Sequence, residues 1–568
     1  MTTTAPSDGD LAQLFIRSLL AKPTPADDRP RPAAPYEGLR HLQALLDEKQ
    51  PLIADRLRLR SLLELCAISD PRLFHAMFLH HCMTIGTALD QGACQEDVAA
   101  LASGEWIGAA LMNETGCGNS SSAVRTEARY DPARGDFVLH TPTPEAAKGP
   151  ANVGLDGFAR LAVVSARLVA AGTDRGTALF LVALRDEDGP CPGVAIEALP
   201  PVAQLPMDYA TVRFDHVRVP RARWLADGAW IAEDGSFHDP LETADARTRR
   251  SLGMARFCWG AISAGLAAVA RGSAALALTH ARHRRTADRL AGQVPALNHL
   301  GQQRLLFGAT AQALAATAVA HRATRRSWHI PPGGGRGSGP DGSAMRELAL
   351  AKVTTDTLAD AAVTRCRSAG GTAAFFSLSR LGCYQSFTQT YASAGGDNRM
   401  ILLDAAWTMA TGQDYQPPDE TSAPDDHTRL LRARERLLHT ELTAHLPQPA
   451  DTAVTFDIWN ERTELAQRFA LAHAARTTAE TLHEKWHTPT LLPAPDRALL
   501  ADLYQLHCLE QIDAHSGWYL AHGLLTAQQV LALPEQADQA CRRLAPHAQA
   551  LTELLQVPDA LLHGPLHP

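Results

Sequence analysis

No CxxC pair, no GxSxG elbow and no GxGxxG run following a strand pattern occurs in this sequence of 568 residues. These absences argue against a thioredoxin-type redox centre, a serine-hydrolase elbow and a Rossmann dinucleotide site. Ten cysteines are scattered singly from Cys66 to Cys541, without zinc-type Cys/His spacing. They are expected to be buried small hydrophobes in a reducing compartment. The N-terminal MTTTAPSDGDLAQLF lacks a basic stretch followed by an apolar one, so no secretory signal is expected and the expected location is the cytoplasm. The uncharged run Phe257 to Ala270 is well short of the roughly 20 residues of a membrane span and is expected to be a buried helix. There is no excess of positive charge: the formal net charge is −8. General attraction to nucleic acid is not expected, and an anionic ligand must be held by local cations. The close pairs His80-His81 and His280/His283 have no HExxH or cysteine partner beside them, so they are expected to be packing or surface histidines and not metal ligands.

What is present is an ordinary globular composition, 45% hydrophobic and 20% charged, in a chain long enough for about three or four units. Residues 1–35 form an extension with one short amphipathic piece, Leu11, Leu14, Phe15 and Leu19. A helical domain is expected over 36–112, from Leu42, Leu45 and Leu46 and from the pattern between Leu62 and Met83. In the next segment, 113–248, the period falls from 3.6 to 2 and predicts an antiparallel β domain. Its strands are expected at Val124–Tyr130, Phe137–His140, Leu161–Val169, Ala178–Arg185, Gly193–Leu199 and Val212–Val219. A helical bundle follows over 249–415, with helices about Ser251–Arg282, Gly301–Arg325 and Met345–Arg365; the first is apolar nearly all round. The loop PPGGGRGSGPDG (331–342) has neither the GK[ST] nor the strand frame of a phosphate loop and is expected to be a linker. A second joint, 416–426, precedes a final helical region, 427–568, in which Leu465, Phe469, Ala472, Ala479 and Leu482 mark one face. The fold class is therefore mainly α with a central β domain.

Several segments in this order resemble the acyl-CoA oxidase family of the acyl-CoA dehydrogenase superfamily. Asn113-Glu114-Thr115-Gly116-Cys117-Gly118-Asn119 looks like the family's Thr-Glu-x-Gly-His-Gly-Ser, with Asn113 in place of Thr and Cys117 in place of His. The resemblance implies that this segment lies along a flavin ring, where glycines let backbone amides approach. KGPANVG (148–154), with Asn152, stands where the family runs a loop beside flavin N5, and FDHVRVPR (214–221) resembles the end of its β domain. Asn298 to Phe307, with Gln302 and Gln303, resembles a helix that touches FAD across a subunit boundary, which implies a homodimer or hetero-oligomer. Arg282 falls where the family places an arginine on the FAD pyrophosphate, a task suited to its forked donors. Cys366-Arg367-Ser368-Ala369-Gly370-Gly371 is similar to the stretch that approaches the adenosine side. HCLEQIDAHSGWYLAHGLLTAQQ (507–529) and VPDALLHGP (557–565) look like the C-terminal helical domain of the oxidases. What the resemblance implies is FAD chemistry on an acyl thioester, carried by CoA or a carrier protein, with molecular oxygen as electron acceptor.

One departure bears on the chemistry. The family's base is a glutamate in Phe-Glu-Gly-Asp/Glu-Asn, and ungapped spacing from the Gly-Gly motif aligns Gly396, Asp397 and Asn398 with its tail. Gly395 then occupies the glutamate position, and Ala394 that of the aromatic residue. Forming the C2–C3 double bond needs removal of a weakly acidic Cα proton, and loss of a positioned base typically costs about 10²–10⁴ in rate. Asp397 is a weak surrogate, because the family already carries an acid there. Related dehydrogenases can carry the base on the long apolar helix, but the comparable position is Arg256, a cation at neutral pH. Glu114 and His299 are the remaining titratable candidates and are expected to be structural. Three readings follow: an oxidase, a flavin-dependent oxygenase of a specialised metabolite, and a non-catalytic partner subunit.

Overall fold

The computed structural model describes residues 31–46, 50–118, 120, 123–290, 292–328, 342–412, 414–447, 454–487 and 494–562. The amphipathic piece at 11–19, almost all of the loop 331–342, Asn119 and His563-Gly564-Pro565 lie outside them. The chain divides into two compact units, Met1–Gly265 with Thr324–Met345, and Leu266–Ala323 with Arg346–Pro568.

The first unit begins with helices α1 (Ala34–Leu46), α2 (Arg56–Ser69) and α3 (Pro71–Met77), a π-helical segment Phe78–Gly86, α4 (Thr87–Asp90) and α5 (Gln95–Ser103). Asp55 caps α2 through the amide of Arg58, and Asp70 caps α3 with Pro71 at its first position, as orphan helix-start amides require. In the π segment Thr84 Oγ1 donates to Ala109 O at 3.0 Å. Gly108 permits this approach, since a Cβ there would lie 2.6 Å from Thr84.

Twelve strands follow: β1 (Ile107–Leu111), β2 (Glu127–Asp131), β3 (Asp136–His140), β4 (Lys148–Asn152), β5 (Arg160–Ala170), β6 (Thr173–Arg185), β7 (Val194–Ala198), β8 (Tyr209–Phe214), β9 (Val217–Val219), β10 (Trp224–Leu225), β11 (Trp230–Ile231) and β12 (Phe237–His238). They build a seven-stranded sheet, β10-β6-β5-β2-β3-β9 with β1 also on β5, a three-stranded sheet β4-β8-β7, and the β11-β12 ribbon. Three expectations change here. The large sheet is mixed, because β5 pairs in parallel with β1 (Ala109 opposite Ala162) and with β2 (Ala128 opposite Leu168). β1 lies inside the stretch expected to be helical. The single strand expected over Val212–Val219 is broken at Asp215-His216, where the chain leaves one sheet for the other and His216 takes φ 53°. Phe137 anchors the core, with ring centroids 5.2 Å from Phe180 and 5.4 Å from Trp224. Alternation supplies this face, one side chain in two pointing inward.

Helix α6 (Ala244–Leu252) is capped by Thr243. Helix α7 (Ala255–His283) starts in the first unit and is the apolar helix expected from the sequence. By length and composition the α6–α7 stretch passes the test for a membrane span, but its most apolar window is wholly buried in protein. That is the environment of a core helix.

The second unit contains the remainder of α7, a hairpin of β13 (Arg285–Asp288) and β14 (Gly292–Pro295), α8 (Leu300–Ser327) as far as Ala323, and α9 (Gly342–Gly370) from Arg346. Next come α10 (Leu381–Tyr391), α11 (Asn398–Thr411), the irregular joint 416–425, α12 (Asp426–Ala444), α13 (Phe456–Asn460), α14 (Thr463–His487), α15 (Ala494–Asp513), α16 (Ser516–Ala521), α17 (Ala527–Leu544) and α18 (Ala548–Leu554). Asp425 caps α12, and Thr526 with Gln529 forms a capping box on α17. The 3–4 spacing of Leu465 to Leu482 becomes the buried face of α14, where Phe469, Ala472, Ala479 and Leu482 are all within the core.

Candidate functional site

In the first unit, Glu114 is a structural carboxylate. It lies 3.1 Å from Lys148 Nζ and accepts from the amides of Arg125 and Thr126, each at 2.9 Å. Burial works to raise its pKa, but Lys148 and the two amides overcome burial and hold it below the usual range. Lys148 is fully buried and is pushed down to about 8 by burial, against the attraction of Glu114.

The expectation that the amides of this segment are free to meet a flavin changes in part. The Thr115 amide donates to Ala147 O at 2.9 Å and the Gly116 amide to Glu145 O at 2.8 Å. A Cβ on Gly116 would lie 2.7 Å from Glu145 Cβ, so glycine serves close packing of the chain against itself. Gly118 has open space above it. The carbonyl of Asn113 accepts from the Gly149 amide at 3.1 Å. Asn152 Oδ1 lies 2.8 Å from His75 Nε2, and burial lowers the His75 pKa to about 4; this amide side chain ties β4 to α3.

Arg256 also has a structural task. It pairs with Asp90, which Arg250 also meets at 2.8 Å; Arg250 reaches Asp227 at 2.8 Å, and Arg247 reaches Asp239 at 2.6 Å. A chain of alternating buried charges therefore claims the position at which the sequence comparison looked for a base.

In the second unit, Arg282 donates to the side chain of Gln549. Gln303 Nε2 donates to Leu297 O at 3.0 Å, while Gln302 Oε1 is buried with no hydrogen-bond partner among the described residues. His299 Nε2 lies 3.0 Å from Thr286 Oγ1, a contact that anchors the start of α8 to β13. Gly370 ends α9, and Gly371 follows at φ 58°, where a Cβ would stand 2.8 Å from Arg284 Nη1. Arg284 is a cation the sequence reading passed over; its signal was nearness in sequence to Arg282.

Gly395, expected from the sequence at the position of the family's base, and Gly396 form a pair of left-handed glycines at φ 68° and φ 95°. Buried Lys352 holds the turn: Nζ donates to Tyr391 O, to Gly396 O at 2.8 Å and to Asn398 Oδ1 at 2.8 Å. Asn398 Nδ2 in turn donates to Asp356 Oδ2 at 2.6 Å. Burial raises the Asp356 pKa to about 6, and among the described residues its Oδ1 finds no hydrogen-bond partner. Lys352 and Asp356, four apart on α9, were missed; their only sequence signal was two charges on a helix face otherwise made for the core. Asp397, offered as a weak surrogate base, is instead the cap of α11, accepting from the amides of Arg399 and Met400 at 2.9 and 3.2 Å.

A further motif escaped the sequence reading. His483-Glu484-Lys485-Trp486-His487 is an HExxH run at the end of α14. The two imidazole centroids are 4.1 Å apart, and Asp425 Oδ2 is 4.0 Å from His483 Nε2. That carboxylate already serves the Tyr504 hydroxyl at 2.6 Å and caps α12. Among the described residues no third donor completes a metal-holding group there.

Comparison with known proteins gives the following. Residues 423–566 match the family model described as acyl-CoA oxidase. An acyl-coenzyme A oxidase-like protein of Mus musculus is 24% identical over 505 residues, 81% of this chain and 77% of its own length. Peroxisomal acyl-coenzyme A oxidase 3 of Homo sapiens is 24% identical over 561 residues, 90% of this chain and 79% of its own length. Among solved structures, acyl-CoA oxidase 1 from Yarrowia lipolytica superimposes with a TM-score of 0.82 at 18% identity, covering 100% of this chain and 90% of that one. Acyl-CoA oxidase-2 of Caenorhabditis elegans, bound with FAD, ascaroside-CoA and ATP, gives 0.82 at 18% identity over 98% of this chain and 88% of that one. The fold is that of the acyl-CoA oxidases.

Proposed function

We propose that this chain is a divergent member of the acyl-CoA oxidase family, to which its C-terminal region and its distant relatives are similar, and that it is an FAD-dependent oxidoreductase. Its substrate is an acyl thioester, on CoA or a carrier protein, and oxygen is the electron acceptor. The residues present fit the cofactor. The unpartnered Gln302 Oε1 offers an acceptor to a ligand donor, and Gly371 leaves room beside the cationic Arg284 where any side chain would intrude. Arg282 and Arg284 would hold the pyrophosphate, Gln302 a polar group, and Gly370-Gly371 the adenosine side. FAD, when bound, supplies the hydride acceptor.

The observation that carries the reading of the chemistry is the Gly395-Gly396 turn. Here the family's carboxylate is replaced by backbone that a buried lysine fixes, so the Cα proton has no acceptor at that position. Two classes of substrate suit such a site: one whose Cα–H is acidified by a second electron-withdrawing group, or one that brings its own base. Oligomer formation is supported by the exposed Phe375, Phe376 and Leu378, 79%, 58% and 56% accessible, directly after Gly371. A reducing compartment, read here as the cytoplasm, is our reading of ten scattered cysteines with no disulfide among them; imaging of the tagged chain in its host checks it.

The test is the visible spectrum of the purified protein before and after anaerobic addition of simple saturated acyl-CoAs and of acyl-CoAs that carry a second electron-withdrawing group on C2 while keeping their C3 hydrogens, which the flavin must receive as hydride. We expect a flavin band, no bleaching by the saturated thioester, and bleaching by an acidified one. Bleaching by a simple saturated acyl-CoA at ordinary oxidase rates would show that another base has taken over. A flavin that no thioester reduces points to oxygenase chemistry, and a colourless protein to an assembly subunit.

A further inference from the structure

We propose that His140, Asp215 and His216 form a binding site for a divalent transition-metal ion on the β domain. The topology brings them together. Strands β3 and β9 are antiparallel with Leu139 opposite Val217, so the next rung outward sets His140 against His216, and their rings stand 4.4 Å apart at 33°. Asp215 precedes His216 in the two-residue link between β8 and β9. Its amide donates to Gly193 O at 2.8 Å, and the Thr141 amide donates to Phe214 O at 2.8 Å. The Phe214 amide returns a bond to Thr141 Oγ1 at 2.9 Å. Both sides of the cluster thus stand on hydrogen-bonded backbone and not on free loop.

One donor atom from each residue lies within 4.8 Å of the other two. Asp215 Oδ1 is 2.7 Å from His216 Nδ1 and 3.8 Å from His140 Nδ1. Metal–ligand bonds of about 2.0–2.2 Å put neighbouring donors of a tetrahedral ion roughly 3.3–3.6 Å apart, a spacing these two distances bracket. His140 Nδ1 is buried and makes no hydrogen bond among the described residues, so there it faces the carboxylate without a competing partner. His216 stands at φ 53°, a left-handed backbone position that histidine enters more readily than most residues.

Two imidazoles and one carboxylate suit zinc, nickel, cobalt or copper(II) and not calcium or magnesium, which prefer all-oxygen cages. With three protein ligands at an exposed edge, at least one position is left to water, so the ion exchanges. Its place is the crossover between the two sheets: β3 and β9 belong to the seven-stranded sheet and β8 to the three-stranded one. An ion there would clamp the point at which the chain changes layers. The His483/His487 pair is the rival, and among the described residues no third donor completes a comparable group there.

The test starts from the full chain, stripped with chelator and titrated with Zn(II) by calorimetry, with Co(II) visible absorption as a second readout. One exchangeable equivalent is expected on the wild type. Loss of an outer-sphere contact alone costs about 10–100-fold in affinity, so His140→Ala and His216→Ala should each weaken the site at least about 100-fold. His483→Ala/His487→Ala should leave it intact. The mutated imidazoles are 41% and 70% exposed, so circular dichroism and melting of the metal-free variants should match the wild type. The proposal falls if the wild type takes up neither ion, if both β-domain variants bind as tightly as the wild type, or if the equivalent disappears in the His483→Ala/His487→Ala variant.

Discussion

Gly395 at φ 68° occupies a region where a residue with a Cβ pays about 1–2 kcal/mol. Gly395→Glu, which returns the family carboxylate, is therefore expected to lose roughly that much stability in urea denaturation, while Gly395→Asn loses less because asparagine tolerates left-handed backbone. Asp397 offers a sharper discrimination. Asparagine caps helices as well as aspartate, so Asp397→Asn should keep both stability and turnover, whereas Asp397→Ala should lose about 0.5–2 kcal/mol with turnover preserved. A collapse of turnover in a well-folded Asp397→Asn would make Asp397 the base after all. At this scale spacing alone offered Gly395 as the residue at the base position. Its conformation was not legible there, because it depends on Lys352, far earlier in the chain on α9.

Periodicity located most elements, since a buried face repeats every 3.6 residues in a helix and every 2 in a strand. It missed β1 because Ile107–Leu111 is short and rich in small residues, and it could not announce the parallel pairing of β5, which is a choice among distant partners. Buried polar groups between elements were equally hidden, and they carry consequences. On α12, Glu435 meets His473 Nδ1 at 2.8 Å and Arg476 Nε at 2.6 Å. Burial works to raise its pKa, but His473 and then Arg476 hold it down at about 2. The folded value lies below the unfolded value of about 4.3, so its stabilisation is complete above about pH 5 and is lost as pH falls through the interval toward 2. Acid-unfolding curves should show this, and Glu435→Gln should flatten that part of the curve while lowering stability at neutral pH. On β4, Glu114→Gln leaves the buried Lys148 without its counter-charge, a change expected to cost about 3–5 kcal/mol in thermal or urea unfolding.

Over the whole molecule, the order of motifs and the C-terminal helical region were enough to place the fold, because many weak matches in the right sequence rarely coincide by chance. The chemistry was less legible: Arg256, Asp397, Glu114 and Asn152 were all candidates by type and position, and each turns out to be engaged in holding the fold together. Assembly belongs to this scale too. Phe375→Ser/Phe376→Ser should shift the sedimenting species toward monomer and loosen bound flavin if that exposed pair meets another subunit; an unchanged mass with flavin retained would remove it from the interface. The glycine pair also bears on ancestry. Once the turn at 395–396 had settled into left-handed backbone around Lys352, a single codon change back to glutamate would meet conformational strain before it recovered any proton transfer. Reinstating a carboxylate at 395 is on this reading a compound change, in which the backbone of the turn must be remodelled along with the side chain.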